Sequence, residues 1–349
     1  MPIINGAIFE INVGGTNVTE RFNPILDKMD VVDSSGETAS KASIILSDVG
    51  GRIVMPSIGD NMTIGLGWDS IVQVFEGVID DVRSRGGSRV GHQLIISGHG
   101  FDTGGKAKEP LELHKDDASL EDFMNEAAGK AGLSFQAQGK IASIQRKYWM
   151  AGTESFIHLG QRIAHEVGAV FKIQGNQAYM WPINSPFTGV GASGSSSVQA
   201  IWAPPPIGNL LEWDIAPIIA RPRFSKSRAR YYDHEKAEWK EESKDVSGAS
   251  GDGPEYTHRL PKADVSEAEA AAEANSAMSQ REAGSGHVTI VGNPAAFPEG
   301  TCNVSGVRPG VDGTYRINTS RHSLNSGHGY VTHLELKQPD GGAGTDSRG

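Results

Sequence analysis

His165 and Glu166 stand side by side as a zinc-peptidase helix requires, one residue to ligate metal and one to act as general base. The next residues are Val167, Gly168 and Ala169, so the second histidine of that motif is missing. His158 precedes His165 by seven positions, about 10.5 Å along a helix axis, too far for both rings to hold one ion. Both fall opposite the apolar stripe that begins at Phe156, where water-facing histidines are expected. No metal ligand set is expected here.

Carboxylates offer a second chemistry. Glycoside hydrolysis needs two of them about 5–9.5 Å apart across a cleft. Asp80 and Asp81 are adjacent in a strand pattern and point to opposite faces. Glu235, Glu238, Glu241 and Glu242 are interspersed with Lys236, Lys240 and Lys244, the pattern of a solvated charged segment. Gly98-His99-Gly100 lacks the later glycine and the helix of a dinucleotide fingerprint, and Gly284-Ser285-Gly286 ends a helix instead of opening one. The expectation is a chain with no catalytic, cofactor-binding or metal residues, and no cofactor.

One basic stretch stands out: Arg221, Arg223, Lys226, Arg228 and Arg230, with Phe224, Tyr231 and Tyr232 among them. As a strand, it places Lys226, Arg228 and Arg230 on one face and Arg221 and Arg223 on the other. The favoured reading pairs these charges with the acidic segment after Asp233. The functional reading is a basic wall facing an acidic partner or a DNA backbone.

These residues must be positioned by a turn-rich framework, because 44 of the 349 residues are glycine. The formal net charge of −10 argues against a global footprint for nucleic acid or anionic lipid. Cys302 is the sole cysteine, which excludes an intrachain disulfide and a cysteine-rich zinc site. No basic and apolar leader opens the chain and no run of about 18 apolar residues occurs, so cytoplasmic synthesis without a membrane anchor is expected.

Short apolar runs bounded by Gly, Pro, Asp or Ser fill residues 1–100, as in an antiparallel β-barrel. Residues 101–187 change to a small α+β insertion. Ser119 caps a helix with the stripe Leu120, Phe123, Ala127 and Ala131, and a second helix from Ser155 to Val167 buries Phe156, Leu159, Ile163 and Val167. Residues 188–208 read as a Gly/Ser/Pro-rich linker. Residues 209–339 return to strands around a helix at 266–283, capped by the box Ser266/Glu269, and 340–349 read as a disordered tail. The fold class is mainly β with an α+β insertion, two related barrels in one chain.

Three patterns in this order carry a family resemblance. The first unit holds Pro56-Ser57-Ile58-Gly59-Asp60 before an alternating strand, then Phe75-Glu76-Gly77-Val78-Ile79-Asp80. The insertion holds Thr153-Glu154-Ser155-Phe156 opening a helix that closes at Val167-Gly168-Ala169. The last unit holds Gly306 to Ile317, then His322-Ser323-Leu324 and the strand Tyr330 to Leu336. So ordered, the chain resembles the phage late control protein D family, the baseplate hub of contractile tails. It is also similar to the N-terminal part of type VI secretion spike proteins. The resemblance spans about residues 5 to 338.

It implies a structural protein without catalysis, located in the virion tail baseplate and assembled in the host cytoplasm. It further implies a homotrimer of tail-tube-like barrels, joining a hexameric tail tube protein to a trimeric central spike protein among other baseplate proteins. Tape-measure protein and DNA would pass its lumen, which the stretch from Arg221 to Arg230 would face. The chain stops after the second barrel, so a separate spike is expected, which favours a phage tail over a type VI apparatus. The competing expectations are a tail-associated peptidoglycan hydrolase and a nucleic-acid-binding module.

Overall fold

The computed structural model describes residues 3–36, 38–88, 91–101, 105–185, 197–218, 224–246, 253–346 and 348. The first barrel contains β1 (Ile3–Ile4), β2 (Ala7–Val13), β3 (Thr16–Asn17), a one-turn helix α1 (Thr19–Phe22), β4 (Leu26–Ser34), β5 (Lys41–Ser47), β6 (Asn61–Gly67), β7 (Ile71–Gly87) and β8 (Gly91–His99). Alternation sets each strand's faces: in β5, Ala42, Ile44 and Leu46 are buried while Lys41, Ser43 and Ile45 turn outward. The antiparallel order β2-β6-β7-β8-β5-β4 closes these buried faces on Phe9, Ile11, Met62, Ile64, Leu94 and Ile96.

The insertion follows, with β9 (Pro110–Ser119), α2 (Leu120–Lys130), β10 (Ser134–Ala137), β11 (Gln145–Ser155), α3 (Phe156–Val167), β12 (Ala169–Gln174) and β13 (Gln177–Pro182). Both of its helices start at serines. Ser119 Oγ accepts from Asp122 N–H and Ser155 Oγ from His158 N–H, and the expected apolar stripes are buried together. α3 ends on Gly168 in left-handed backbone, φ +66°.

The remainder comprises β14 (Ser197–Ile201), β15 (Leu210–Ala216), β16 (Lys226–Asp233), β17 (Glu238–Asp245), β18 (Glu255–Thr257), α4 (Val265–Arg281), β19 (Ser285–Val291), β20 (Thr301–Ser305), β21 (Gly313–Asn325) and β22 (Gly329–Asp340). Two separate cores lie here. One is the second barrel around Val198, Ile290, Val304, Tyr315 and Leu336; the other packs Ala229 and Tyr231 of β16 on Ala268 and Ala271 of α4. Among the described residues no helix is long and apolar enough to cross a membrane.

Three elements differ from the sequence expectation. Ser197–Ile201, inside the expected linker, is a strand paired in parallel with β20, because Val198 and Ala200 alternate into the core. α4 is capped earlier than Ser266: Asp264 accepts from Glu267 N–H at 2.9 Å and Glu267 accepts from Ala263 N–H at 2.7 Å. The same Asp/Ser-x-x-Glu chemistry is available in both registers, and the earlier one wins. Residues 341–346 fold back on the second barrel instead of trailing free: Gly344 N–H reaches Gly310 O at 2.8 Å and Asp346 pairs with Arg308 at 3.1 Å.

The two barrels repeat one another strand for strand. The order β2-β6-β7-β8-β5-β4 recurs as β14-β20-β21-β22-β19-β15. Registers match as well. Met62 faces Gly77 as Cys302 faces Tyr315, and Asp81 faces Ser97 as Thr319 faces Glu335. Lys41 faces His99 as Ser285 faces Lys337, and Met29 faces Ile44 as Trp213 faces Val288. Even the irregularities coincide: β7 slips between Ile79 and Asp81 against β8, and β21 between Ile317 and Thr319 against β22. One difference remains, since β2 is antiparallel to β6 while β14 is parallel to β20.

Candidate functional site

The feature that organises the molecule is the seam between the barrels. β4, the last strand of the first barrel, pairs with the second half of β21, from Ser34 opposite Thr319 to Lys28 opposite Asn325. One continuous sheet thus runs through both barrels. Ion pairs reinforce the seam, with Arg321 Nε donating to Asp30 at 3.1 Å and Lys28 Nζ lying 2.7 Å from the same carboxylate. Burial pushes the Asp30 carboxyl up, but hydrogen bonds from Arg321 and Lys28 outweigh it and hold it below the usual carboxylate range. Across the seam, Trp68 Nε1 donates to Gly292 O at 2.7 Å and its ring lies 5.9 Å from that of Tyr330.

A buried charge network ties the other modules to this seam. Glu299 is fully buried and bonds to Arg281 of α4 at 2.7 Å. Its carboxylate also accepts from Ser35 of the first barrel and, at 3.0 Å, from the Asn184 N–H at the end of the insertion. Arg281 continues to Asn318 Oδ1 at 2.7 Å. Four parts of the chain thus meet on one ion pair, with each partner supplying the hydrogen bonds that a buried charge requires.

The insertion is anchored on both sides. β12 crosses to the first barrel through Ile173 N–H to Thr38 O at 2.7 Å and through the Lys172–Asp33 ion pair. Toward α4 the insertion offers Lys140 to Glu273 at 2.9 Å and Arg146 of β11 to Glu267 at 3.5 Å. Arg146 is itself stacked 4.3 Å over Trp149 and bonded to Glu166 at 2.8 Å. Glu166, the would-be general base, therefore serves Arg146 and Arg162, and these hydrogen bonds overcome its burial to lower its carboxyl pKa. His158 and His165 are exposed on the polar face of α3.

The other residues singled out by the sequence are also placed. Asp80 lies against His99 and Asp81 accepts from Arg83 at 2.7 Å. The slip of β7 between Ile79 and Asp81 corrects the expectation of opposite faces: Ile79 and Val82 pack on the core, so both carboxylates turn outward with His99 and Ser97. Lys226, Arg228 and Arg230 do share the outer face of β16, with Ser227, Ala229 and Tyr231 turned inward. Arg228 bridges Glu241 at 2.9 Å and Glu255, and Lys226 lies 3.6 Å from Asp245, so the acidic strand β17 pairs with this face. Arg221 and Arg223 lie outside the described residues, as does most of the Gly/Ser-rich segment 189–197. Among the described residues, no group of three or more His, Cys, Asp or Glu is arranged to hold a metal ion. The seam network was missed by sequence reasoning, because its residues come from segments far apart in the chain.

No protein-family model matches the chain. A probable baseplate hub protein of Escherichia phage 186 is 22% identical over 185 residues, which are 52% of this chain and 47% of that protein. The match thus spans about half the length of the curated relative. Among solved structures, a tail protein from Neisseria meningitidis MC58 superposes with TM-score 0.69 at 15% identity, covering 95% of this chain and 96% of that one. The 43 kDa tail protein of prophage MuSo2 from Shewanella oneidensis gives 0.66 at 13% identity, covering 95% and 98%. The E. coli c3393 protein, a component of the type VI secretion system, gives 0.53 at 11% identity, covering 96% and 78%. The resemblance to the late control protein D family of baseplate hubs is borne out by these relatives, and the chain has the fold of phage tail proteins.

Proposed function

We propose that this chain is a structural hub of a contractile phage tail baseplate, a virion protein whose copies close into a ring that joins a hexameric tail tube to a trimeric central spike. The observation that carries the reading is the duplication. Each chain supplies two barrels of the same strand order and register, so three chains present six equivalent barrels on one face while keeping threefold symmetry elsewhere. A sixfold tube and a threefold spike both find a matching partner in such a ring. The likeness to a baseplate hub protein and to tail proteins supports the same reading.

The hub works by assembly, without catalysis, alongside other baseplate proteins. The stretch Arg221, Arg223, Lys226, Arg228 and Arg230 is proposed to face the lumen or a partner; within it, Lys226 and Arg228 pair with Asp245 and Glu241 of β17 and Glu255 of β18 until a more acidic surface competes for them. Light scattering of the purified protein at two concentrations is the test. A particle of three times the 37.1 kDa chain mass, ring-shaped in electron micrographs, is the expected result. A strict monomer at every concentration overturns it, and one that also clears peptidoglycan in a zymogram does so in favour of a tail-associated hydrolase.

A further inference from the structure

The barrels are duplicated, yet only one of the two seams that the duplication implies is filled within the chain. β4 of the first barrel docks on residues 319–325 of β21. The equivalents of these elements are β15 in the second barrel and residues 81–87 of β7 in the first. Both are open. Among the described residues β15 pairs only with β19, and residues 81–87 of β7 pair only with β8.

Resting on the ring reading above, we infer that β15 of one copy pairs antiparallel with residues 83–87 of β7 in a second copy, repeating between chains the seam that joins the barrels within one. Transfer of the internal register puts Ala216 opposite Arg83, Asp214 opposite Arg85 and Glu212 opposite Gly87. The charges agree with this register. Arg83 and Arg85 line the open edge of β7, and Glu212 and Asp214 line the open edge of β15. Asp214 takes the place of Asp30 and Arg83 that of Arg321, so the Arg321–Asp30 pair of the internal seam is reproduced by Arg83 and Asp214. Their side chains are 68% and 82% exposed in the single chain.

The end of the pairing is also set. Ser35 N–H bonds Asn318 O, so by alternation the N–H of Asp33 faces β21 as well. Pro217 occupies the equivalent of Asp33 and has no N–H, which stops the intermolecular ladder at Ala216. A second contact repeats too. Trp68, in the β6–β7 hairpin loop, covers Gly292 after β19, whereas the equivalent loop after β5 leaves Val49 and Val54 exposed by 77% and 88%. In the repeated seam the β20–β21 loop, residues 306–312, falls over those valines.

Charge reversal tests the register. Arg83→Asp or Asp214→Arg alone is expected to raise the concentration for assembly about tenfold or more, since like charges then face each other across the strands. The double swap is expected to return it to within about threefold of the parent. Ala216→Cys combined with Arg83→Cys gives a second readout, because facing residues at a non-hydrogen-bonded site are about 4.5 Å apart at Cα, within disulfide reach. Mild oxidation is expected to yield a covalent ladder ending at three chains, while either cysteine alone yields none; Cys302 is buried. A parent that forms trimers while the reversals and the cysteine pair have no effect overturns this seam and leaves the hub reading standing. A parent that stays monomeric at every concentration, with no cross-linked ladder, overturns both.

Discussion

His322 shows how one residue of the seam responds to its surroundings. It is 1% exposed on β21, its Nδ1 accepting from Tyr330 O–H at 2.9 Å and its Nε2 donating to Ala296 O at 3.2 Å. Burial pushes its pKa down to about 4, because a charged ring would sit without water. The sign follows directly. The unfolded chain protonates this ring near pH 6.5 and the folded chain only near 4, so stability is full above 6.5, falls as pH drops through that window and levels off below 4. One such proton contributes a slope of up to about 1.4 kcal/mol per pH unit. Urea denaturation of His322→Gln at pH 7, 5.5 and 4.5 is expected to lose that part of the acid slope, and an unchanged slope would assign it to other groups. The motif His322-Ser323-Leu324 was visible in the sequence. Its burial was not, because the partners Tyr330 and Ala296 come from a neighbouring strand and a loop.

Elements with local signals were legible. α2 and α3 announce themselves by serine caps and by apolar residues three and four apart, information contained within one turn of chain. β14 was not legible, because its five residues gain strand identity only from β20, about a hundred positions away. Gly168 illustrates an element contact hidden behind a local signal. Its left-handed φ makes it a helix stop, but a Cβ there would also lie 2.6 Å from Ala274 Cα on α4. Gly132 after α2 shares the left-handed backbone, φ +75°, and has nothing within 4 Å. Gly168→Ala is therefore expected to cost about 2–4 kcal/mol, against about 1 kcal/mol for Gly132→Ala. Equal losses in thermal denaturation would mean that α4 yields freely to α3.

At the scale of the whole molecule, the duplication preserves geometry and lets identity drift. Met62 corresponds to Cys302, Ile64 to Val304, Ile44 to Val288 and Leu46 to Ile290, so the inward positions stay apolar while hardly a side chain repeats. That is why two related barrels were readable from strand spacing and no repeat was readable from letters. The duplication also explains an odd residue. Gly59 N–H bonds Ile79 O and Glu299 N–H bonds Ile317 O at the same point of each barrel, both in left-handed backbone, φ +90° and +66°. Glycine is at ease in that conformation, whereas glutamate is strained by it. The second barrel thus carries a strained, buried carboxylate where the first has an unstrained turn, and that carboxylate is the point where the barrels, the insertion and α4 meet. Its role is mechanical coupling. The parent chain is expected to unfold in one calorimetric transition, with all modules reporting the same midpoint. Glu299→Ala relieves none of the burial of Arg281 and leaves that guanidinium without its counter-charge, a loss of about 3–5 kcal/mol. The local seam between β4 and β21 survives the substitution, so the barrels stay paired while the insertion and α4 lose their anchor. Two separated transitions are then expected, the lower one reporting the α+β modules. A single transition, merely lowered in temperature, would show that β12 and the Lys172–Asp33 pair couple the modules without Glu299.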